Sequence, residues 1–374
     1  MKIFIIGPII PYRGGIAHSN TLLCKNLSKN NNVYCISFKR QFPKILYPGR
    51  EQIDKNLKLK KNLNSFFIID SINPLTWLQV FDMIRKEKPD LVTFQWWTPF
   101  FMPCYTTISF LTRRFTKARI SAVCQNVVSH ESRFIERFLT KIFFKTINFF
   151  ITYSSSDKQD IKKLLKNAKV EWIVEGTYDK QLGTGIEKEV AKKKLGLKGK
   201  NIIFFGFVRP YKGLIYLIKA MQHIAQQYDV TLHIVGEFWE DKNRYTKEIN
   251  NLGIGKNIKI VDRYVSDEEA VLYISAADVI VLPYTSSTES GIIQLAFGLN
   301  KPIITTDVGG NKDLVKNNIN GILVKPKNSR QLADAVIKFY SDNMENVIKN
   351  NMKASRKIFL WTDKKERIFL GGFK

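Results

Sequence analysis

The stretch NIIFFGFVRPYKGLIYLIKAM, residues 201–221, shows the organisation of the whole chain in miniature. A bulky apolar run, Ile202–Phe205, breaks at Gly206. A short basic turn with Arg209, Pro210, Lys212 and Gly213 follows, and a helical pattern opens at Leu214 and runs to Gln227. An uninterrupted apolar run suits a strand covered on both faces, as in a parallel sheet. Open parallel sheets take ligands beyond the carboxyl ends of their strands, which is where Arg209 and Lys212 stand. Arginine offers a planar fork and lysine a compact charge, so the pair suits a diphosphate. A solvated basic turn is the rival reading in a chain with 59 Lys and Arg. Pro210 and Gly213, which shape the turn, weigh against it.

The same strand–helix alternation extends in both directions. Upstream, Ile3–Ile6 leads to a helix over about residues 16–28. Val33–Phe38, Phe66–Ile69, Leu91–Gln95, Ile120–Cys124 and Ile147–Tyr153 continue the series. Downstream come Thr231–Val235, Ile258–Val261, a helix over 267–276, Val279–Leu282 and Pro302–Thr305. A Gly-, Lys- and Glu-rich stretch over 176–200 reads as a linker. The fold class is α/β with two doubly wound, Rossmann-like domains. Residues 1–180 form the first, with 355–374 packing back on it, and residues 181–354 form the second.

A chain of 374 residues with 44% hydrophobic content exceeds the usual size of one core and is too apolar to be disordered. The net charge of +26 favours phosphorylated small molecules, anionic membrane or nucleic acid. No nucleic-acid motif or RNP-like strand accompanies it, so nucleic acid is not expected as a partner. Cys24, Cys35, Cys104 and Cys124 are scattered, as are four histidines, which suggests reduced packing thiols and no metal site. Met1-Lys2 runs directly into an apolar stretch too short for a secretory signal, so a cytoplasmic protein is expected. Residues 91–111 carry no charge, but Pro99 and Pro103 divide them into a strand, an aromatic loop and a helix start rather than a membrane span.

Further candidates follow other strand ends. Gly14 and Gly15 open the first helix and leave its N-terminus free for an anion or sugar hydroxyls; a steric reason for a glycine pair there is equally good. Glu289 and Ser290, with the amides of Gly291 and Ile292, stand at a helix start and could bind hydroxyls and phosphate. An acidic cap is the alternative for Glu289. Gly206, and Gly236 with Glu237, mark strand ends where a nucleotide can approach the backbone, and Tyr264 with Val265 is placed to meet a base. Asn126, together with Trp96 and Trp97, is read as the acceptor side. His130 is a candidate proton acceptor, although a lone histidine is more often structural. Arg133, Arg137, Lys141 and Lys145 recur every fourth residue among Phe and Ile, an amphipathic pattern that suits an anionic membrane surface or an ordinary packed helix. Trp96, Trp97, Phe100 and Phe101 favour the membrane reading, because interfacial belts favour tryptophan.

FFGFVRPYKGL, IVGEFW, VDRYVSDEEAVLYISAADVIVLPY and SGIIQLAFGLNKPIITTDVGG, in that order, resemble the C-terminal domain of retaining glycosyltransferases of family 4. GGIA near the start and QNVVSHES agree with it. The resemblance implies the GT-B fold, two Rossmann-like domains facing across a cleft, with the last helix returning to the first domain. It implies a metal-independent, retaining hexosyltransferase that uses a UDP- or GDP-linked sugar and no other cofactor. Arg209 and Lys212 would hold the diphosphate, Glu289 would contact sugar hydroxyls, and Gly15 would approach the phosphates from the first domain. Glutamates frequent in the family are replaced here by Ser287 and Leu295. The implied acceptor is a glycan or lipid-linked hydroxyl of cell-envelope polysaccharide or lipopolysaccharide synthesis. Two other readings are a catalytically silent GT-B binding protein at a membrane and a nucleotide-sugar epimerase.

Overall fold

A computed structural model describes residues 1–57, 63–127, 134–177 and 185–372. The chain divides into two compact units, Met1–Gly176 with Trp361–Lys374, and Thr177–Leu360. The return to the first unit thus starts at Trp361, later than the 355 read from sequence. Ser355 is held in the second unit by Asn320 Nδ2, which donates to its Oγ at 3.2 Å, and Phe359 packs its ring on Phe297.

In the first unit β1 (Lys2–Ile6), β2 (Asn32–Arg40), β3 (Asn64–Asp70), β4 (Leu91–Trp96), β5 (Arg119–Cys124), β6 (Phe149–Thr152) and β7 (Val170–Trp172) form a parallel sheet in the order β3-β2-β1-β4-β5-β6-β7. The apolar runs are continuous because both faces are covered. Along β1, Phe4 and Ile6 join a core built with α2 (Pro74–Glu87), α3 (Met102–Phe115), α4 (Phe134–Phe144) and α5 (Ser155–Leu164), whereas Ile3 and Ile5 join one built with α1 (Gly15–Leu27). That second core also takes Phe369 from the C-terminal helix Asp363–Phe369. The C-terminal helix is anchored by Glu366, whose carboxylate accepts from Asn30 and Asn31 at 3.0 and 2.9 Å.

Among the described residues the first helix of the second unit is α6 (Lys188–Leu195), inside the stretch read as linker. Its sequence, KEVAKKKL, has a weak apolar pattern; Lys188 fixes it by pairing with Asp278 at 2.9 Å and Glu345 at 2.8 Å. Then β8 (Lys200–Phe205), α7 (Leu214–Gln227), β9 (Val230–Val235), α8 (Asn243–Asn251), β10 (Ile258–Val261), α9 (Asp267–Ala276), β11 (Val279–Leu282), α10 (Gly291–Gly298), β12 (Ile303–Thr306), α11 (Asn311–Leu314) and β13 (Ile322–Val324) follow. Their parallel sheet runs β10-β9-β8-β11-β12-β13. In each sheet the strand order reverses once, at β1/β4 and at β8/β11. Those are the topological switch points, where a crevice opens beyond the strand ends. Among the described residues no helix is long and apolar enough to cross a membrane.

Candidate functional site

The switch point of the second unit is bordered by the turn after β8 and the loop after β11. β8 ends at Gly206, whose φ of 107° is open to glycine. A single 3-10 turn, Pro210–Lys212, then carries the chain to Gly213 and α7. Gly213, at φ 66°, lies so close to the other loop that a Cβ there would stand 2.0 Å from the Pro283 carbonyl oxygen. The amide of Thr285 donates to the Tyr211 carbonyl at 2.8 Å and fastens the two loops together. The second loop is tied in turn to β12, where Thr306 Oγ1 donates to the Tyr284 carbonyl at 2.6 Å.

Lys212 is the centre of this arrangement. Its Nζ donates to the Tyr284 hydroxyl at 2.8 Å, and that hydroxyl lies 3.3 Å from Ser290 Oγ. The ammonium rests beside Gly206, 3.5 Å from where a Cβ would stand, and 4.5 Å from the centre of the Tyr284 ring. Burial lowers its pKa below 10.5, and the nearby Arg209 charge lowers it further against the opposing influence of Tyr211. A lysine pressed toward its neutral form is one that gains from an arriving anion. Arg209 is exposed, with its guanidinium 5.5 Å from the ring centres of both Tyr211 and Trp239. Rings hold the cation's faces and leave its edge donors available.

The start of α10 completes the polar surface. No side chain caps it, since Ser290 Oγ is engaged by Tyr284. The amides of Gly291 and Ile292 therefore stand at the positive end of a helix beside Lys212's own hydrogen-bond partner. Glu289 is half-buried and held by Gln294, whose Nε2 donates to its Oε1 at 2.7 Å. Ser287 and Leu295 are both buried.

Other sequence candidates fall out differently. Gly236 is required by its neighbour, because a Cβ there would lie 2.2 Å from the Gly206 carbonyl oxygen. Glu237 is 2% exposed and accepts from the Trp239 indole at 3.2 Å, so it orients that ring. Val265 is buried, and Tyr264 is half-buried with its ring stacked over Phe207. Phe207 stacks in turn on Trp239, at 4.3 Å between ring centres. Sequence reading missed this ladder of Tyr264, Phe207 and Trp239. Its signal was an aromatic residue two to four positions past the ends of three neighbouring strands, β10, β8 and β9. Tyr284 was missed as well.

In the first unit Gly14 has φ 99°, and the position where Gly15 would carry a Cβ is open, with no atom within 4 Å. Asn126, past the end of β5, donates from Nδ2 to the Trp97 carbonyl at 3.5 Å, and its Oδ1 is buried without a partner. Trp96 does not join them. It is 0% exposed, stacks on Phe143 and edges Phe144, so it is a core residue and its assignment to the acceptor side is corrected. The aromatic loop likewise turns inward: Phe101 is fully buried, with Trp97, Phe100 and Phe42 packed on it. Such a loop is no interfacial belt. His130 lies outside the described residues.

Residues 185–355 match the family described as glycosyl transferases group 1. That match lies within the second unit. An uncharacterized glycosyltransferase of Methanocaldococcus jannaschii is 30% identical to this chain over 213 residues. That match spans about half of each protein, 54% of this chain and 54% of the relative. Among solved structures, sucrose-phosphate synthase of Thermosynechococcus elongatus superposes with a TM-score of 0.78 at 16% identity, over 99% of this chain and 98% of that one. Anabaena HepE, solved in complex with UDP-glucose, gives 0.75 at 18% identity over 100% of both chains. These likenesses establish the GT-B fold for this chain.

Proposed function

We propose that this protein transfers a hexosyl group from a UDP- or GDP-linked sugar to an acceptor hydroxyl, with retention of configuration. The observation that carries the reading is the Lys212 ammonium, fixed by Tyr284 beside Arg209 and next to the uncapped start of α10. Three sources of positive potential meet there at a switch point, where the diphosphate of a donor gathers charge as its bond to the sugar breaks. That HepE was solved with UDP-glucose supports the donor class.

In the proposed step the bond between the sugar's anomeric carbon and the diphosphate oxygen breaks, and its electron pair stays on the phosphate. The acceptor oxygen bonds to the same face of that carbon, and its proton passes to the leaving phosphate. Arg209, Lys212 and the Gly291 and Ile292 amides stabilise the departing charge without a metal in this reading. Glu289, oriented by Gln294, is assigned to sugar hydroxyls, Gly14 and Gly15 to the phosphates, and Asn126 and Trp97 to the acceptor. The basic first unit supports a glycan or lipid-linked acceptor of cell-envelope polysaccharide or lipopolysaccharide assembly, met from the cytoplasmic side of the membrane.

A thermal-shift screen of nucleoside diphosphates and their sugars tests the donor. At least one uridine or guanosine diphosphate is expected to raise the melting temperature, and chelator is expected to leave the shift intact. Transfer to a glycan acceptor should then preserve the anomeric configuration by NMR. No shift with any nucleotide defeats the reading, and isomerised donor formed without acceptor replaces it with epimerisation.

The Glu237–Trp239–Arg209 chain makes a second expectation. Trp239→Leu removes one face of the guanidinium's ring clamp, worth roughly 0.5–1 kcal/mol. Nucleoside-diphosphate affinity should fall about two- to fivefold by calorimetry, with Trp239→Phe recovering most of it. Equal affinity in all three proteins would show that the clamp positions nothing.

A further inference from the structure

The aromatic loop turns into the core, and among the exposed apolar side chains of the first unit, which include Ile45, Leu46, Ile72, Leu75 and Leu78, one group lies on α3 and α4 among exposed cations. On α4, Ile135 and Phe138 are 64% and 58% exposed, and Ile142 follows one turn on at 36%. Arg137 and Lys141 on the helix, and Lys145 just past its end, are exposed beside them, one to three residues away along the chain. On α3, Phe110 is 58% and Phe115 60% exposed, and Arg113 and Arg114 lie between them. The two helices are fastened side by side near their carboxyl ends. Thr146 Oγ1 donates to Ser109 Oγ at 2.7 Å, and Arg113 Nη1 donates to the Lys145 carbonyl at 3.1 Å. Glu136 is the one acidic residue in either helix, and it is half-buried.

We infer that the α3–α4 face docks on a bilayer surface carrying anionic lipid headgroups. Large apolar side chains interleaved with long cationic ones suit an interface where rings enter the acyl boundary while Arg and Lys reach back to phosphates. Charge complementarity selects the occupant. A face this basic repels a second copy of the same face, and each cation near an anionic leaflet adds to the attraction. The inference extends the proposed placement at a membrane, but it does not depend on glycosyl transfer.

Vesicle co-sedimentation of the full chain tests it. The protein is expected to sediment with phosphatidylglycerol-containing vesicles at physiological salt and to stay in solution with pure phosphatidylcholine. Since +26 of net charge would attract any anionic surface, the deciding variants leave charge untouched. Phe138→Ser and Phe110→Ser should each weaken partitioning about tenfold, and together nearly abolish it. Arg137→Glu with Lys141→Glu should do the same, whereas Lys256→Glu with Lys259→Glu in the second unit should change little. Nucleoside-diphosphate binding measured on the same variants should be unaltered, so a failed donor reading and a failed membrane reading are told apart. Full vesicle binding by the double Phe variant would overturn the inference, leaving diffuse charge attraction. A dimer in light scattering that Phe138→Ser dissolves would also overturn it, by making a second copy the occupant.

Discussion

Lys212→Met should leave the protein folded and weaken its hold on nucleoside diphosphates roughly thirtyfold. The substituted side chain keeps the length and apolar stem while removing a charge that burial already disfavours, so the melting temperature of the free protein should hold or rise. The Tyr284 hydroxyl keeps Ser290 as a neighbour. What disappears is a charge-assisted hydrogen bond to phosphate, worth about 2 kcal/mol or roughly thirtyfold in affinity. Arg209→Ala should cost a similar factor with no change in stability, because Arg209 is exposed. Arg209→Lys should recover only part of it, since the fork is lost. The two cations serve one diphosphate, so the double variant is expected to deviate from the sum of the singles.

The pH dependence has a definite sign. A diphosphate needs the Lys212 ammonium, and the free protein holds that group's pKa below 10.5. Affinity should therefore fall as pH rises through the lowered value, earlier than an ordinary lysine would allow. Bound anion raises the pKa again, so binding takes up protons on the alkaline side. Lys212→Arg should remove this alkaline fall. Calorimetry across the pH range with wild type and both variants checks each point; near-normal affinity in Lys212→Met and Arg209→Ala would remove the basis of the proposed function.

Gly213→Ala should be among the most damaging single-methyl additions in the second unit, and Gly196→Ala supplies its control. Both glycines have the same left-handed conformation, φ 66° and φ 67°. An alanine at either position bears the backbone cost of that region, on the order of 1 kcal/mol. The difference lies in the surroundings. At Gly196 the Cβ meets nothing within 4 Å, whereas at Gly213 it meets the Pro283 carbonyl oxygen at 2.0 Å and its carbon at 3.1 Å. Backbone cannot swing aside as a side chain does. Either the turn after β8 or the loop after β11 must move, and the Thr285–Tyr211 bond goes with it. We expect Gly196→Ala to lose about 1 kcal/mol in urea denaturation and Gly213→Ala several times that. Gly213→Ala should also lose nucleoside-diphosphate binding, because Lys212 is the preceding residue. Equal losses in the two variants would show that the loops are not packed as described.

Much of this architecture is legible in the sequence. Ile202–Phe205 reads as a buried strand, and α7 begins and ends at Leu214 and Gln227, where the apolar spacing places it. Parallel strands covered on both faces leave continuous apolar runs, and Gly206 and Gly213 mark the breaks, so local pattern and final fold agree. Helix α6 escaped such reading, because KEVAKKKL has little pattern of its own and is fixed by ion pairs reaching Asp278 and Glu345, far off in the chain.

The division is sharpest at the functional residues. From sequence alone, Arg209 and Lys212 stand out as two cations at a strand end, and Trp96 with Trp97 stands out as an aromatic pair in an uncharged run. Only the tertiary structure separates these cases. It brings Tyr284, more than seventy residues on, against the Lys212 ammonium, with Ser290 beside the Tyr284 hydroxyl, and it stacks Trp96 on Phe143 inside the core. It also turns that loop inward while apolar side chains of α3 and α4 stay exposed. The physical reason is common to all three. Strand and helix follow from the spacing of neighbours along the chain, while burial, pKa and partnership depend on what distant segments bring to the same place.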